Sequence, residues 1–157
     1  MEPNWLSPRE DRAWRAFQHA HHRLGVHLNR GLQESGLSGA DYQILAVLSE
    51  HDGDRMAALD LCNTLGWEKS RLSHQVRRMQ NDGLIRREPN PEDARSTMVC
   101  LLPAGRAAIE KAAPGHVANV RQNFIDLLSP AELDMLAALN ERVLHHLAEE
   151  HGSRADG

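Results

Sequence analysis

Apolar residues recur at intervals of three and four along most of this chain, the spacing of one buried face on a helix. Trp14, Phe17, His21, Leu24 and Leu28 mark a first amphipathic helix lasting to about Gly31 or Gly36. Ser7-Pro8-Arg9-Glu10 predicts its start, with Ser at the cap, Pro in the first turn and Glu three residues on to close a capping box. Ser38-Gly39-Ala40-Asp41 opens a second helix whose apolar face is Ile44, Leu45, Val47 and Leu48, and His51 to Asp54 is a turn. A third helix is expected from about Met56 to Leu65, a fourth from about Glu68 to Asn81, with Gly83 as its stop. The period then changes. Leu84 to Glu88 and Thr97 to Leu102 read as strands around the turn-rich Pro89 to Ala94. A fifth helix begins near Pro103 and is expected to bend at Pro114-Gly115. Ser129-Pro130-Ala131-Glu132 repeats the capping box before a sixth, with Leu133, Leu136, Leu139, Val143 and Leu147 as its seam.

A short helix, a Leu65-Gly66 break, a second helix and a two-strand hairpin make the order of a winged helix-turn-helix. The expected fold is mostly α with a small β-hairpin wing. The winged domain covers 37–102, an N-terminal helix covers 7–36, helices at 103–150 complete the chain, and 151–157 form a disordered polar tail. Neither end helix can bury its seam fully against a middle of about 65 residues, so both are expected to pair with a second copy as dimerisation elements.

Charge sharpens this picture. Between Trp67 and Arg95 lie seven Lys or Arg against five carboxylates, a local +2; the rest of the chain then carries −6, since the whole is −4. A cationic surplus confined to one element supplies affinity for a phosphate backbone. At about 100° per residue, Leu72, Val76 and Met79 share the core side of the fourth helix, and Ser70, His74 and Arg77 lie nearly opposite, flanked by Arg71, Ser73 and Arg78. Such a face suits the edges of base pairs in a major groove. The candidate DNA-binding set is Lys69, Ser70, Arg71, Ser73, His74, Gln75, Arg77 and Arg78. Ser70 to His74 should point deepest, Arg77 and Arg78 should hold phosphates, and Gln75 sits on the margin near the core side. On the wing, Arg95 is placed to enter a minor groove, with Asp93 accepting from its guanidinium to fix its aim.

Composition excludes several classes. No apolar stretch reaches membrane-span length, and Met1 to Trp5 lacks the basic-then-apolar order of a signal peptide. The two cysteines, Cys62 and Cys100, are too few for a disulfide framework and suit a reducing cytoplasm. No nucleophile elbow, phosphate-binding glycine loop or zinc-protease motif is present, so an enzyme is not expected, and no cofactor is implied.

Several short motifs stand in a familiar order. Leu61-Cys62-Asn63-Thr64-Leu65-Gly66, Lys69-Ser70-Arg71-Leu72-Ser73, Gly83-Leu84-Ile85-Arg86-Arg87, Asp93-Ala94-Arg95, Leu101 to Gly105 and Leu127-Leu128-Ser129-Pro130 together resemble the MarR (multiple antibiotic resistance regulator) family, over about Glu10 to Leu147. Leu102 departs from the family's usual Thr, and Cys62 from a small Ala, which marks Cys62 as a buried structural thiol. The resemblance implies a homodimeric transcription factor that represses nearby genes from a pseudo-palindromic double-stranded operator. It also implies release by a small, often aromatic or phenolic, effector bound between the dimer helices and the winged domain. No motif identifies the pocket; Trp14, Phe17 and His21 are candidates that core packing explains equally well.

Three other readings stay open. Cys100 alternates with Val99 and Leu101 and is expected to face outward, where a thiol can sense redox state if its surroundings are cationic. Ten histidines, among them His19, His21, His22, His27 and the pair His145-His146, leave room for a metal sensor, although their spacing is not that of a zinc site and no metal ligand is assigned. A winged domain that binds protein rather than DNA is the third.

Overall fold

A computed structural model describes residues 1–155, with side chains through Glu150. The chain forms two compact units that divide after Val117.

The first unit begins with α1 (Pro8–Gln33). Its capping box is complete: the Glu10 N–H donates to Ser7 Oγ and the Ser7 N–H to Glu10 Oε2, at 3.3 and 2.7 Å. α2 (Gly39–Glu50) starts on the second box, Ser38 with Asp41, and buries Ile44, Leu45 and Leu48 completely. After a single 3-10 turn at Asp52–Asp54 come β1 (Arg55–Ala57), α3 (Ala58–Leu65) and α4 (Lys69–Asn81). Gly66 and Gly83 close the two helices at φ +68° and +75°, a backbone that residues with a Cβ disfavour. β2 (Ile85–Asn90) and β3 (Asp93–Leu101) follow, then α5 (Pro103–Asn123), which runs on through Pro114 and crosses into the second unit. The core of the first unit gathers Leu32, Leu45, Leu61, Val76, Met79 and Ile85 with Val99 and Ile109.

Two expectations about the middle of the chain are corrected. The third helix does not start at Met56: Arg55–Ala57 is a strand, and the wing is a three-stranded antiparallel sheet in the order β1-β3-β2. Three residues are too few to show a period of two. Their extended form comes from pairing with β3, which sets Met56 opposite Val99 in the core. The hairpin strands are also longer than expected, leaving only Pro91-Glu92 between them. Pro89 is tolerated inside β2 because that strand is an edge, where a missing N–H need not face a partner. The register shifts between Pro89 and Asn90, and Asn90 Oδ1 accepts the Glu92 N–H to shape the turn.

The second unit holds the end of α5, a 3-10 turn at Ile125–Leu127 and α6 (Pro130–Ala155). Its capping box is as expected, with the Ser129 N–H donating to Glu132 Oε1 and the Glu132 N–H to Ser129 Oγ. No residue of α6 through Glu150 is buried, and Met135, Leu139, Val143 and Leu144 stand in the open. The helical backbone continues to Ala155, where a disordered tail was expected from 151; residues 156–157 of that tail lie outside the described residues.

Candidate nucleic-acid interface

α4 is split lengthwise as its sequence angles require. Leu72, Val76 and Met79 are at most 3% exposed and join the core. Lys69, Ser70, Arg71, Ser73, His74, Arg77 and Arg78 are all exposed. Four cations, two hydroxyls and one imidazole therefore share one accessible side of a 13-residue helix. No hydrogen bond or ion pair with another described residue occupies the side chain of Lys69, Arg77 or Arg78, so their charges are open to phosphate.

Gln75 does not belong to this face. It is 8% exposed, and its Nε2 donates to Asp41 Oδ1 at 2.5 Å. The other Asp41 oxygen accepts the Ser38 N–H at 2.9 Å. One carboxylate thus caps α2 and also grips α4, which removes Gln75 from the candidate contacts and makes it a fastening between the two helices. A buried amide needs such a partner, and the sequence angle alone did not reveal that Asp41 would supply it.

Two more positioning residues escaped the sequence reading. Trp67 is half-buried against the core, and the Arg71 guanidinium lies 4.0 Å from the centre of its ring. A spacing of four between Trp67 and Arg71 was the available signal. Glu88 gathers the base of the wing: it lies 3.2 Å from Arg86 and 3.8 Å from Arg55, and accepts the Cys100 thiol at 3.1 Å. Cys100 lies off the core, on the face opposite Val99 as its alternation predicts, but these side chains bury it where exposure was expected, and burial followed by the Glu88 carboxylate pushes its pKa up. Cys62 is buried as expected, and desolvation raises its pKa too. Both thiols are held in the protonated form, the opposite of the low-pKa setting a redox sensor uses.

At the wing, β3 opens with Asp93. Its Oδ1 accepts the backbone N–H of Arg95 at 3.0 Å, while the Arg95 Nε stands 4.0 Å away. Asp93 therefore orders the Arg95 backbone, and meets its guanidinium as an exposed ion pair and not by the hydrogen bond expected. The Arg95 side chain is 98% exposed and free to enter a groove. Asn90 Nδ2 donates to Ser96 Oγ across the hairpin and steadies the loop behind it.

Among the described residues no group of three or more His, Cys, Asp or Glu is arranged to hold a metal ion. The His145 and His146 rings instead each lie 3.5 Å from a carboxylate one turn on, Glu149 and Glu150. Trp14, Phe17 and His21 form a ladder of rings along α1, 6.1 and 6.2 Å apart, with Trp14 and Phe17 about half exposed. No described helix is long and apolar enough to cross a membrane.

The MarR family model matches residues 35–96, the stretch from the end of α1 to the wing. The regulator PecS of Dickeya dadantii is 32% identical over 124 residues, covering 76% of this chain and 72% of that protein. Among solved structures, the MarR family regulator AbsC of Streptomyces coelicolor is 41% identical over 94% of this chain and 99% of its own, with a TM-score of 0.88. Sco3205 of the same organism, a MarR family regulator solved in complex with DNA, is 35% identical over 93% and 92%, again at 0.88.

Proposed function

This chain belongs to the MarR family of transcriptional regulators, which are not enzymes, and from that premise we propose that it is a cytoplasmic homodimeric repressor acting on a pseudo-palindromic operator. The observation that carries the reading is the divided surface of α4. Its apolar side is locked into the core, while seven polar or cationic side chains stand clear on the other, and Arg95 on the wing is 98% exposed. Ser70, Arg71, Ser73 and His74 read base edges in the major groove, Lys69, Arg77 and Arg78 hold phosphates, and Arg95 enters the adjoining minor groove. Two copies place two such helices about 34–36 Å apart, one turn of duplex. DNA-bound Sco3205 supports this mode of action.

A small, often aromatic or phenolic, effector then lowers the affinity for the operator, as the family resemblance implies. The winged domain at 37–102 binds DNA, and the helices at 7–36 and 103–150 join the two copies.

Selection of bound oligonucleotides from a randomised duplex pool tests the reading. A shared two-fold motif among the retained duplexes is the expected result. A purified chain that retains no duplex even in dilute buffer overturns it.

A further inference from the structure

The first turn of α4 carries the residues placed deepest in the groove, yet Glu68 at its N-cap makes no side-chain hydrogen bond to steady it. What steadies it comes from just outside. The Trp67 N–H donates to Cys62 O at 3.0 Å, in the turn that closes α3 at Gly66, and the indole packs against the core. Its free face carries the Arg71 guanidinium.

We propose that Trp67 is a positioning residue for sequence selectivity: its indole face holds Arg71 in the pose that reads a base pair, without Trp67 itself touching DNA. The inference rests on the DNA-binding reading above. Stacking engages the flat face of a guanidinium and leaves the five N–H donors on its rim free. No hydrogen bond or ion pair with a described residue takes them. They remain available for the two acceptors on a guanine edge, which a planar fork matches. A long side chain already stacked also loses less rotamer freedom when it binds. Among the described residues no ring lies under Lys69, Arg77 or Arg78, which suits cations that follow a phosphate chain rather than one base.

Trp67→Leu keeps apolar bulk toward the core and removes the π face; Trp67→Phe keeps a smaller face. Affinity is measured by fluorescence anisotropy for the duplex preferred in the pool selection and for a scrambled duplex of equal length, with thermal unfolding to confirm the fold. Trp67→Leu should weaken the preferred duplex about three- to tenfold per recognition helix and leave the scrambled duplex and the salt dependence unchanged. Trp67→Phe should recover part of the loss. In an Arg71→Ala background, Trp67→Leu should have no further effect. Equal losses on both duplexes, or losses that simply multiply with those of Arg71→Ala, overturn the proposal and leave Trp67 a packing residue. If Trp67→Leu does not fold, Trp67→Phe with Arg71→Ala completes the same cycle under the same criterion. In the free protein, Arg71 side-chain protons should show a ring-current shift that Trp67→Leu abolishes; no shift overturns the stacking. A wild-type chain that binds no duplex overturns the DNA reading and this inference together, whereas one that binds without the coupling overturns the inference alone.

Discussion

Gly105 sits where only a hydrogen fits. A Cβ there would lie 2.2 Å from the Leu84 carbonyl oxygen, and that same oxygen accepts the Leu102 N–H at 3.0 Å. The clash is with backbone, which cannot swing aside, so Gly105→Ala should destabilise the fold by about 1–3 kcal/mol. An unchanged urea midpoint would contradict that. His116 gives a second residue-scale prediction. Its ring centre is 4.3 Å from that of Tyr42, its buried Nδ1 has no hydrogen-bond partner among the described residues, and burial lowers its pKa below the ordinary histidine value. Between the lowered and the ordinary value the unfolded chain binds the extra proton, so this contribution to stability is complete above about pH 6.5 and fades as the pH falls through the lowered value. His116→Phe, which keeps the ring against Tyr42, should flatten the acid side of the stability curve; a slope equal to wild type would rule out this role. Cys100 shows what its own strand could not reveal. Strand alternation put it opposite the buried Val99, but β3 is the central strand, and Arg55, Glu88 and Arg86 cover its second face.

At the scale of elements, capping boxes and left-handed glycines were legible because they are local. Ser7 with Glu10, Ser38 with Asp41 and Ser129 with Glu132 need only neighbours three residues away, and Gly66 and Gly83 need only their own φ. The angular division of α4 was legible for the same reason. β1 was not, because its partner lies more than forty residues on, at Met98 to Cys100. The wing carries a prediction of its own. Arg95 is ordered through its backbone by Asp93, and its guanidinium, in a loose 4.0 Å ion pair with that carboxylate, stays exposed. Arg95→Ala should therefore cost affinity mainly on duplexes with narrow A·T-rich flanks. Equal loss on every flanking sequence would show that Arg95 acts only as a charge.

At the scale of the molecule, each unit leaves apolar surface uncovered. Trp14, Phe17 and Val26 stand open in the first, and Met135, Leu139, Val143 and Leu144 in the second. Long amphipathic helices with bare seams call for a second chain. Sedimentation at low concentration should give twice the 17.6 kDa of one chain; a monomer would refute the dimer. Each phosphate neutralised in the complex releases counterions, so log affinity should fall linearly with log salt at a slope of about −0.9 per phosphate contact. A flat salt response would be incompatible with an electrostatic grip by Lys69, Arg77 and Arg78.

The sequence by itself determined the six helices and their capped starts, the basic face of α4, the presence of a hairpin and the family resemblance, since each depends on residues within a turn or two of one another. Tertiary structure alone decided the third strand, the inward turn of Gln75 to Asp41, the burial of Cys100 and the close seat of Gly105 under Leu84. Each of these is a contact between distant segments, set by what the fold brings alongside, and no local period encodes such a neighbour.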